Sequence, residues 1–185
     1  MKNGKLIVIS GASGVGKGTV LSLMMQKRDD LFFSVSATTR DPRPGEVDGK
    51  HYFFISKECF EEMIKNNEFL EYDAHAANYY GTLRGQAEAK QKQGHVLLDI
   101  DPKGAAQVRK SAPDATLIFI MPPSVEELER RLRGRGDTSE DQIAMRMERA
   151  IWEMEQRTWY DYVVVNDDAQ RCADEILSII SKLED

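Results

Sequence analysis

Lys5-Leu6-Ile7-Val8-Ile9-Ser10-Gly11-Ala12-Ser13-Gly14-Val15-Gly16-Lys17-Gly18-Thr19 decides the fold of this chain. An apolar run of strand length ends in a glycine-rich turn, and that turn opens a helix. The spacing Gly11-x4-Gly16-Lys17 is that of a Walker A loop. Glycines let main-chain amides turn inward without a Cβ in the way. Those amides, with the helix N-terminus behind them, make an anion site. Lys17 adds a mobile point charge for β and γ phosphates. The residue after Lys17 is Gly18, not serine or threonine. The hydroxyl that usually helps hold Mg²⁺ is missing there, and Thr19 or Ser13 is left to supply it. Gly18 also implies close packing of another group against the loop. A glycine-rich turn with an exposed lysine is the competing reading.

Outward from the loop, apolar runs alternate with helical patterns. Strands are predicted at residues 5–10, 95–99, 116–121 and 162–166. All are continuous or nearly continuous apolar runs, which suits central strands buried on both faces of a parallel sheet. Helices are predicted after Gly16, over 102–110, from Ser124 and from about Ser139. Ser124 with Glu127, and Ser139 with Gln142, read as capping boxes. Ile143, Met147, Ala150, Ile151 and Met154 follow helical spacing and read as a core stripe, as do Cys172, Ala173, Ile176, Ile179, Ile180 and Leu183 in the last helix. This βα alternation implies an α/β sandwich with right-handed crossovers. Two segments interrupt it. Residues 34–86 hold short alternating stretches and many turn residues, so they read as an inserted, partly β unit. Residues 128–148 are arginine-rich, with Gly134 and Gly136 between two helices, and read as a mobile flap.

The chain has 185 residues, or about one domain at roughly 150 residues each. Hydrophobic residues at 41% and aromatics at 8% argue against disorder. A net charge of −6 argues against nonspecific nucleic-acid binding. The two cysteines, Cys59 and Cys172, have no CxxC spacing, so they read as packed reduced thiols rather than a disulfide or zinc site. The apolar run 6–9 is too short for a signal peptide, and no stretch approaches the ~20 residues of a membrane span. A soluble, intracellular, cytoplasmic protein is expected.

Residues 34–55 carry Arg40 and Arg43 around Pro42, and guanidinium forks suit phosphate oxygens. Ser36, Tyr52, Tyr80 and Thr82 offer hydroxyls, and Glu71 a carboxylate. Without a family, the segment also fits an ordinary solvated loop. The pattern Thr38-Thr39-Arg40-x2-Arg43-x2-Glu46-x2-Gly49-x2-Tyr52-Phe53-Phe54-Ile55 resembles the signature of guanylate kinases. So do Asn78-Tyr79-Tyr80-Gly81-Thr82, Leu98-Asp99-Ile100-Asp101, Arg131-Leu132-Arg133-Gly134-Arg135-Gly136 and Val165-Asn166-Asp167-Asp168. The blocks stand in the family's order and cover nearly the whole chain. The resemblance implies a P-loop three-layer sandwich with a central parallel sheet, divided into a core (1–33, 87–124 and 150–185), a GMP-binding insert (34–86) and an arginine-rich lid (125–149).

By the same resemblance, Gly11, Ala12, Ser13, Gly14, Val15, Gly16, Lys17, Gly18 and Thr19 take the phosphates of ATP, and Asn166 lies near its adenine. Arg40, Arg43, Tyr52 and Tyr80 hold the GMP phosphate, and Glu46, Gly81 and Asp99 belong to the GMP site. Ser36, Glu71 and Thr82 read guanine. Guanine offers two donors, N1–H and the 2-amino group, which one carboxylate accepts together; adenine offers neither, and a polar site left unpaired rejects it. Ser36 or Thr82 is left to donate to O6. Asp101 is a candidate to orient an arginine or the Mg²⁺ shell, or to cap the helix at Pro102. Arg135 and Arg146 match lid arginines that reach the transferring phosphoryl group, with Arg131 a possible third; Arg130 and Arg149 read as a solvated face paired with Glu126, Glu127 and Glu129. His51, His75 and His95 read as structural or exposed. The implied reaction is transfer of the γ-phosphoryl of ATP to GMP, and also dGMP, with Mg²⁺ as cofactor and Lys17, Arg40, Arg135 and Arg146 as the catalytic cations. Two alternatives stay open: another nucleoside monophosphate kinase, since Gly18-Thr19 also resembles adenylate kinases, and a related domain that only binds protein partners.

Overall fold

The computed structural model describes residues 3–75, 77–134 and 139–184. The chain forms two compact units. One holds Met1–Val8 and Asp30–Ala115; the other holds Ile9–Asp29 and Thr116–Asp185. In chain order the elements are β1 (Leu6–Gly11), α1 (Lys17–Lys27), β2 (Leu31–Phe33), β3 (Ser36–Thr38), β4 (Phe53–Phe54), α2 (Lys57–Lys65), β5 (Phe69–His75), β6 (Asn78–Leu83), α3 (Arg84–Gln91), β7 (His95–Asp99), α4 (Pro102–Ser111), β8 (Thr116–Met121), α5 (Val125–Arg133), α6 (Glu140–Glu155), a 3-10 turn (Gln156–Trp159), β9 (Tyr162–Val165) and α7 (Ala169–Lys182). This is an α/β fold with a central parallel sheet flanked by helices. The five-stranded sheet has the order β2-β7-β1-β8-β9, and a second, four-stranded sheet has the order β4-β3-β6-β5.

The predicted strands and helices fall within a residue or two of the observed ones. β1 is buried along its whole length, as its unbroken apolar run requires. β9 departs from that expectation. It ends the sheet order beyond β8, and Tyr162, Val163 and Val165 are each more than a third exposed. An apolar run reads the same at an edge as at the centre; strand order alone separates the two. β8 beside it, from Leu117 to Ile120, is fully buried.

In the unit of β8, Cys172, Ala173, Ile176, Ile179 and Ile180 of α7 are buried. In α6, Ile143, Ala150 and Met154 are buried but Ile151 is 45% exposed, so the predicted stripe is narrower than its spacing suggested. Ser139 and Gln142 complete a capping box. At α5 only half of one forms: Ser124 Oγ accepts the Glu127 amide, while the Glu127 carboxylate turns to Arg130 and Arg131. Leu128 and Leu132 are fully buried, so the flap expected over 128–148 begins with a packed helix. Thiol chemistry differs at the two cysteines: Cys172 is buried, and burial pushes its thiol up to about 12, whereas Cys59 is exposed.

The other unit packs α2 on the four-stranded sheet. Phe60 is fully buried, stacked 4.2 Å from Phe69 and 5.1 Å from Tyr79 between ring centroids. Ser56 caps α2 by accepting from the Cys59 amide. Phe60→Ala should cost about 3–5 kcal/mol in urea melts, as large-to-small core changes do. Ile151→Ala should stay within about 0.5 kcal/mol.

Candidate functional site

The phosphate loop lies in the unit of Ile9–Asp29 and Thr116–Asp185. It leaves the end of β1 and delivers Lys17 as the first residue of α1. Gly14 and Gly16 have φ of +88° and +94°, a region that strains any residue with a Cβ. Space demands glycine there too. A Cβ at Gly14 would lie 2.5 Å from Leu132 Cδ2, and one at Gly16 would lie 2.8 Å from Asn166 Nδ2. Gly16 caps α1 without a side chain, and no acid sits in the first turn, so the helix dipole is left for an anion. Gly18 behaves differently from expectation. A Cβ there would meet nothing within 4 Å, because Gly18 sits on the exposed side of the first turn; Thr19 beside it is exposed as well.

The same unit carries Asn166, Arg131, Arg146 and Arg149. Asn166 is buried, and its Nδ2 donates to the Val15 carbonyl at 2.8 Å. Arg131 donates to the Val15 and Asn166 carbonyls, each at 3.0 Å. Arg130 pairs with Glu127 and is largely exposed, as a solvated face requires. Arg149 differs from the same expectation: its partner is Glu153, a buried acid, at 2.9 Å. Arg146 is half-buried on α6. Arg135 lies outside the described residues.

The acceptor residues lie in the unit of Met1–Val8 and Asp30–Ala115. Strand register brings three of them into one row: Ser36 is opposite Thr82, and Thr82 is opposite Glu71. Cross-strand neighbours on one face of a sheet lie within contact. Thr82 Oγ1 donates to Glu71 Oε1 at 2.6 Å, so its proton is engaged. Gly81 alternates to the opposite face, where a Cβ would lie 2.8 Å from the Phe69 ring. Glu71 is 8% exposed. Burial pushes its carboxyl above the usual carboxylate range, the Thr82 hydrogen bond opposes that, and the charge of Asp101 adds to it. Two α4 residues that the sequence reading passed over support this acid. A Cβ on Gly104 would lie 3.2 Å from Glu71 Oε2. The Gln107 amide pairs with both main-chain groups of Tyr72, the residue after Glu71.

Arg40 is held edge-on by Glu46 through two hydrogen bonds of 2.7 Å, and its guanidinium lies 5.1 Å from the Tyr52 ring centroid. Tyr52 meets Tyr80 edge-to-face at 6.1 Å. Glu46 also accepts the Arg43 amide at 2.8 Å. The Arg40 bond, and after it the Arg43 amide, hold the Glu46 carboxyl down at about 2. Glu46 thus positions two arginines. Asp99 is exposed at the end of β7. Asp101 caps α4 through the Gly104 amide at 3.0 Å. His51 and His95 each accept a main-chain amide through Nδ1, and His75 is exposed.

A glycine loop thus opens a helix after a buried strand, with an arginine-bearing helix pair in the same unit and a polar row of Ser36, Thr82 and Glu71 in the other. The family model described as guanylate kinase matches residues 3–183. A guanylate kinase of Trichormus variabilis is 52% identical over 167 residues, 90% of this chain and 84% of that protein. One of Carboxydothermus hydrogenoformans is 44% identical over 182 residues, covering 98% and 89%. The crystal structure of guanylate kinase from Anaplasma phagocytophilum matches with a TM-score of 0.72 at 34% identity, over 98% of this chain and 86% of that one. The chain belongs to the guanylate kinase family, ATP-dependent enzymes that phosphorylate GMP. Among the described residues, no helix is long and apolar enough to cross a membrane.

The raised Glu71 carboxyl has a stability consequence. Between the ordinary carboxyl pKa, about 4.3, and its raised folded value, the folded chain holds a proton that the unfolded chain has lost. Stability therefore falls as pH rises through that window and stays lower above it. Glu71→Gln removes the penalty. In urea melts without nucleotide, its stability relative to the parent should rise between pH 4.5 and pH 8; a difference independent of pH would contradict the burial argument.

Proposed function

We propose the following division of labour for the transfer of the γ-phosphoryl group of ATP to GMP. The residues of the Gly11–Thr19 loop take the ATP phosphates, through Lys17 and through main-chain amides other than those of Ser13, Val15 and Thr19, which already have partners in the chain. Arg40, Arg43, Tyr52 and Tyr80 take the GMP phosphate, with Glu46 fixing the plane of Arg40. Its described bonds to Glu46 and the Asp41 carbonyl use three of the five guanidinium donors, which leaves capacity for a phosphate oxygen. Ser36, Thr82 and Glu71 read the base, and Asp99 borders the GMP site. dGMP presents the same base and phosphate and is accepted too.

The observation that carries this reading is the Ser36–Thr82–Glu71 row. A buried carboxylate facing a pair of donors discriminates strongly, because the wrong base leaves it desolvated and unpaired. The protein needs no general base. The attacking group is a phosphate oxygen of GMP, already ionised at neutral pH. What remains is to hold two anions in line, neutralise developing charge and exclude water. Lys17, Arg40, Arg135 and Arg146 supply the positive field. The lid (125–149) and insert (34–86) act as the moving parts, and within the lid Leu128 and Leu132 are packed.

Mg²⁺ fits the residues present. It keeps much of its water and takes few protein ligands when phosphates supply the rest. With Gly18 lacking a hydroxyl and Asp101 engaged as a helix cap, the exposed Thr19 is the group that would hold it. There it would neutralise β and γ oxygens.

Lys17→Ala should lower kcat by at least ~100-fold, the scale of losing one charge-stabilising donor, with the GMP affinity changed less than threefold; unchanged turnover would refute the loop assignment. In a coupled assay of ADP formation, GMP and dGMP should be accepted, and AMP, CMP and UMP should react at least ~10³-fold more slowly. Equal use of AMP would overturn the guanine-reading row.

A further inference from the structure

Glu153 is a buried acid with no part in the division of labour above. It is 3% exposed on α6, where a buried charge is unfavourable unless paired and hydrogen-bonded. Its Oε2 accepts the main-chain amide of Ser13 at 2.7 Å, and its Oε1 accepts Nε of Arg149 at 2.9 Å. Ser13 belongs to the phosphate loop. A helix some 140 residues further along the chain therefore grips the loop by its backbone.

The loop is gripped a second time two residues on. The Val15 carbonyl accepts from Asn166 Nδ2 at 2.8 Å and from Arg131 Nη1 at 3.0 Å. Arg131 is held in turn by Glu127, at 2.8 Å, and by the Asn166 carbonyl, at 3.0 Å. In a trans peptide the C=O of one residue and the N–H of the next point in opposite directions. Donors that fix the Val15 carbonyl on one side thus aim the Gly16 amide to the other. Ser13 obeys the same logic: its N–H is drawn to Glu153, and the Ala12 carbonyl in the same peptide turns back to accept the Val15 amide at 3.0 Å. Gly14 and Gly16, both at positive φ, have the wide backbone freedom of glycine. Without external restraint, their amides would lose the fixed orientation that anion binding needs.

We propose that Glu153 and Arg131 are positioning residues of the phosphate loop: they hold the Ser13 amide and the Val15 carbonyl outward, so that the Gly14 amide between them and the Gly16 amide after them stay aimed at the nucleotide phosphates. Neither residue needs to touch ATP. The role rests on the assignment of this loop to ATP. It also gives Arg131, whose sequence position suggested a phosphate contact, a main-chain partner instead.

The test is equilibrium titration of ATP and, separately, GMP into the full-length parent, Glu153→Ala, Glu153→Gln and Arg131→Met, with melting temperatures recorded alongside. Glu153→Ala should weaken ATP at least fivefold and leave GMP within twofold. Glu153→Gln keeps an acceptor for the Ser13 amide and should return ATP affinity to within twofold of the parent. Arg131→Met should weaken ATP at least threefold with GMP unchanged. A lowered melting temperature with parental ATP affinity in both Glu153→Ala and Arg131→Met would overturn the proposal, and so would Glu153→Gln binding as weakly as Glu153→Ala. If Glu153→Ala does not fold, parental ATP affinity in Arg131→Met alone overturns it. A parent that binds GMP but not ATP would refute the loop assignment itself, whereas a parent that binds ATP equally with all its variants refutes only the positioning role.

Discussion

Main-chain amides hold a phosphate only if the backbone carrying them cannot turn away. That constraint shapes the unit of the phosphate loop. Its glycines are required twice over, by φ and by the approach of Leu132 and Asn166, yet glycine alone makes a loop loose rather than directed. Direction comes from the groups around it. β1 is buried and rigid on one side, α1 begins at Lys17 on the other, and between them a carboxylate, an amide and a guanidinium each take one main-chain group. The loop is made of backbone groups, and side chains from α5, α6 and the end of β9 bond to them.

The acceptor unit solves a different problem with strand register. Side chains alternate along a strand, so Ser36, Thr82 and Glu71 share a face only because β3, β6 and β5 pair as they do. The face behind them is filled by Phe60, Phe69 and Tyr79. A one-residue slip would exchange the two faces and place these polar groups in an aromatic core. The Gln107 pair with Tyr72 and the Ser111 bond to the Leu70 carbonyl close the β5 edge and oppose that slip. This arrangement has a stability cost, because Glu71 is desolvated near Asp101 and Asp73.

Much of this was legible in one dimension. The loop spacing, the strand–loop–helix order, the caps at Ser124 and Ser139 and the stripe of α7 are local patterns, and local patterns survive in a linear reading. The errors share a cause. Ile151 and β9 were assigned to the core from periodicity, but which apolar residues meet partners depends on strand order and helix rotation. Gly18 suggests a close approach in sequence, but a Cβ there would meet nothing within 4 Å and its φ is not positive, so neither contact nor conformation demands glycine. Arg149 is exposed, as a solvated face requires, but its partner is Glu153 in the core, not one of the acids of α5. One signal for Glu153 was present: an acid beside the buried stripe of α6, three residues from Ala150.

The sequence by itself determined the class of fold, the phosphate loop and the family, because those depend on residue types at fixed short separations. Tertiary structure alone decided which groups hold which. The Glu153 grip on Ser13 and the Asn166 and Arg131 grip on Val15 join residues far apart in the chain, and the Thr82–Glu71 bond depends on the register of β5 with β6. Such pairings arise from how strands register and helices pack, and a hydrogen bond between distant residues leaves no spacing to read.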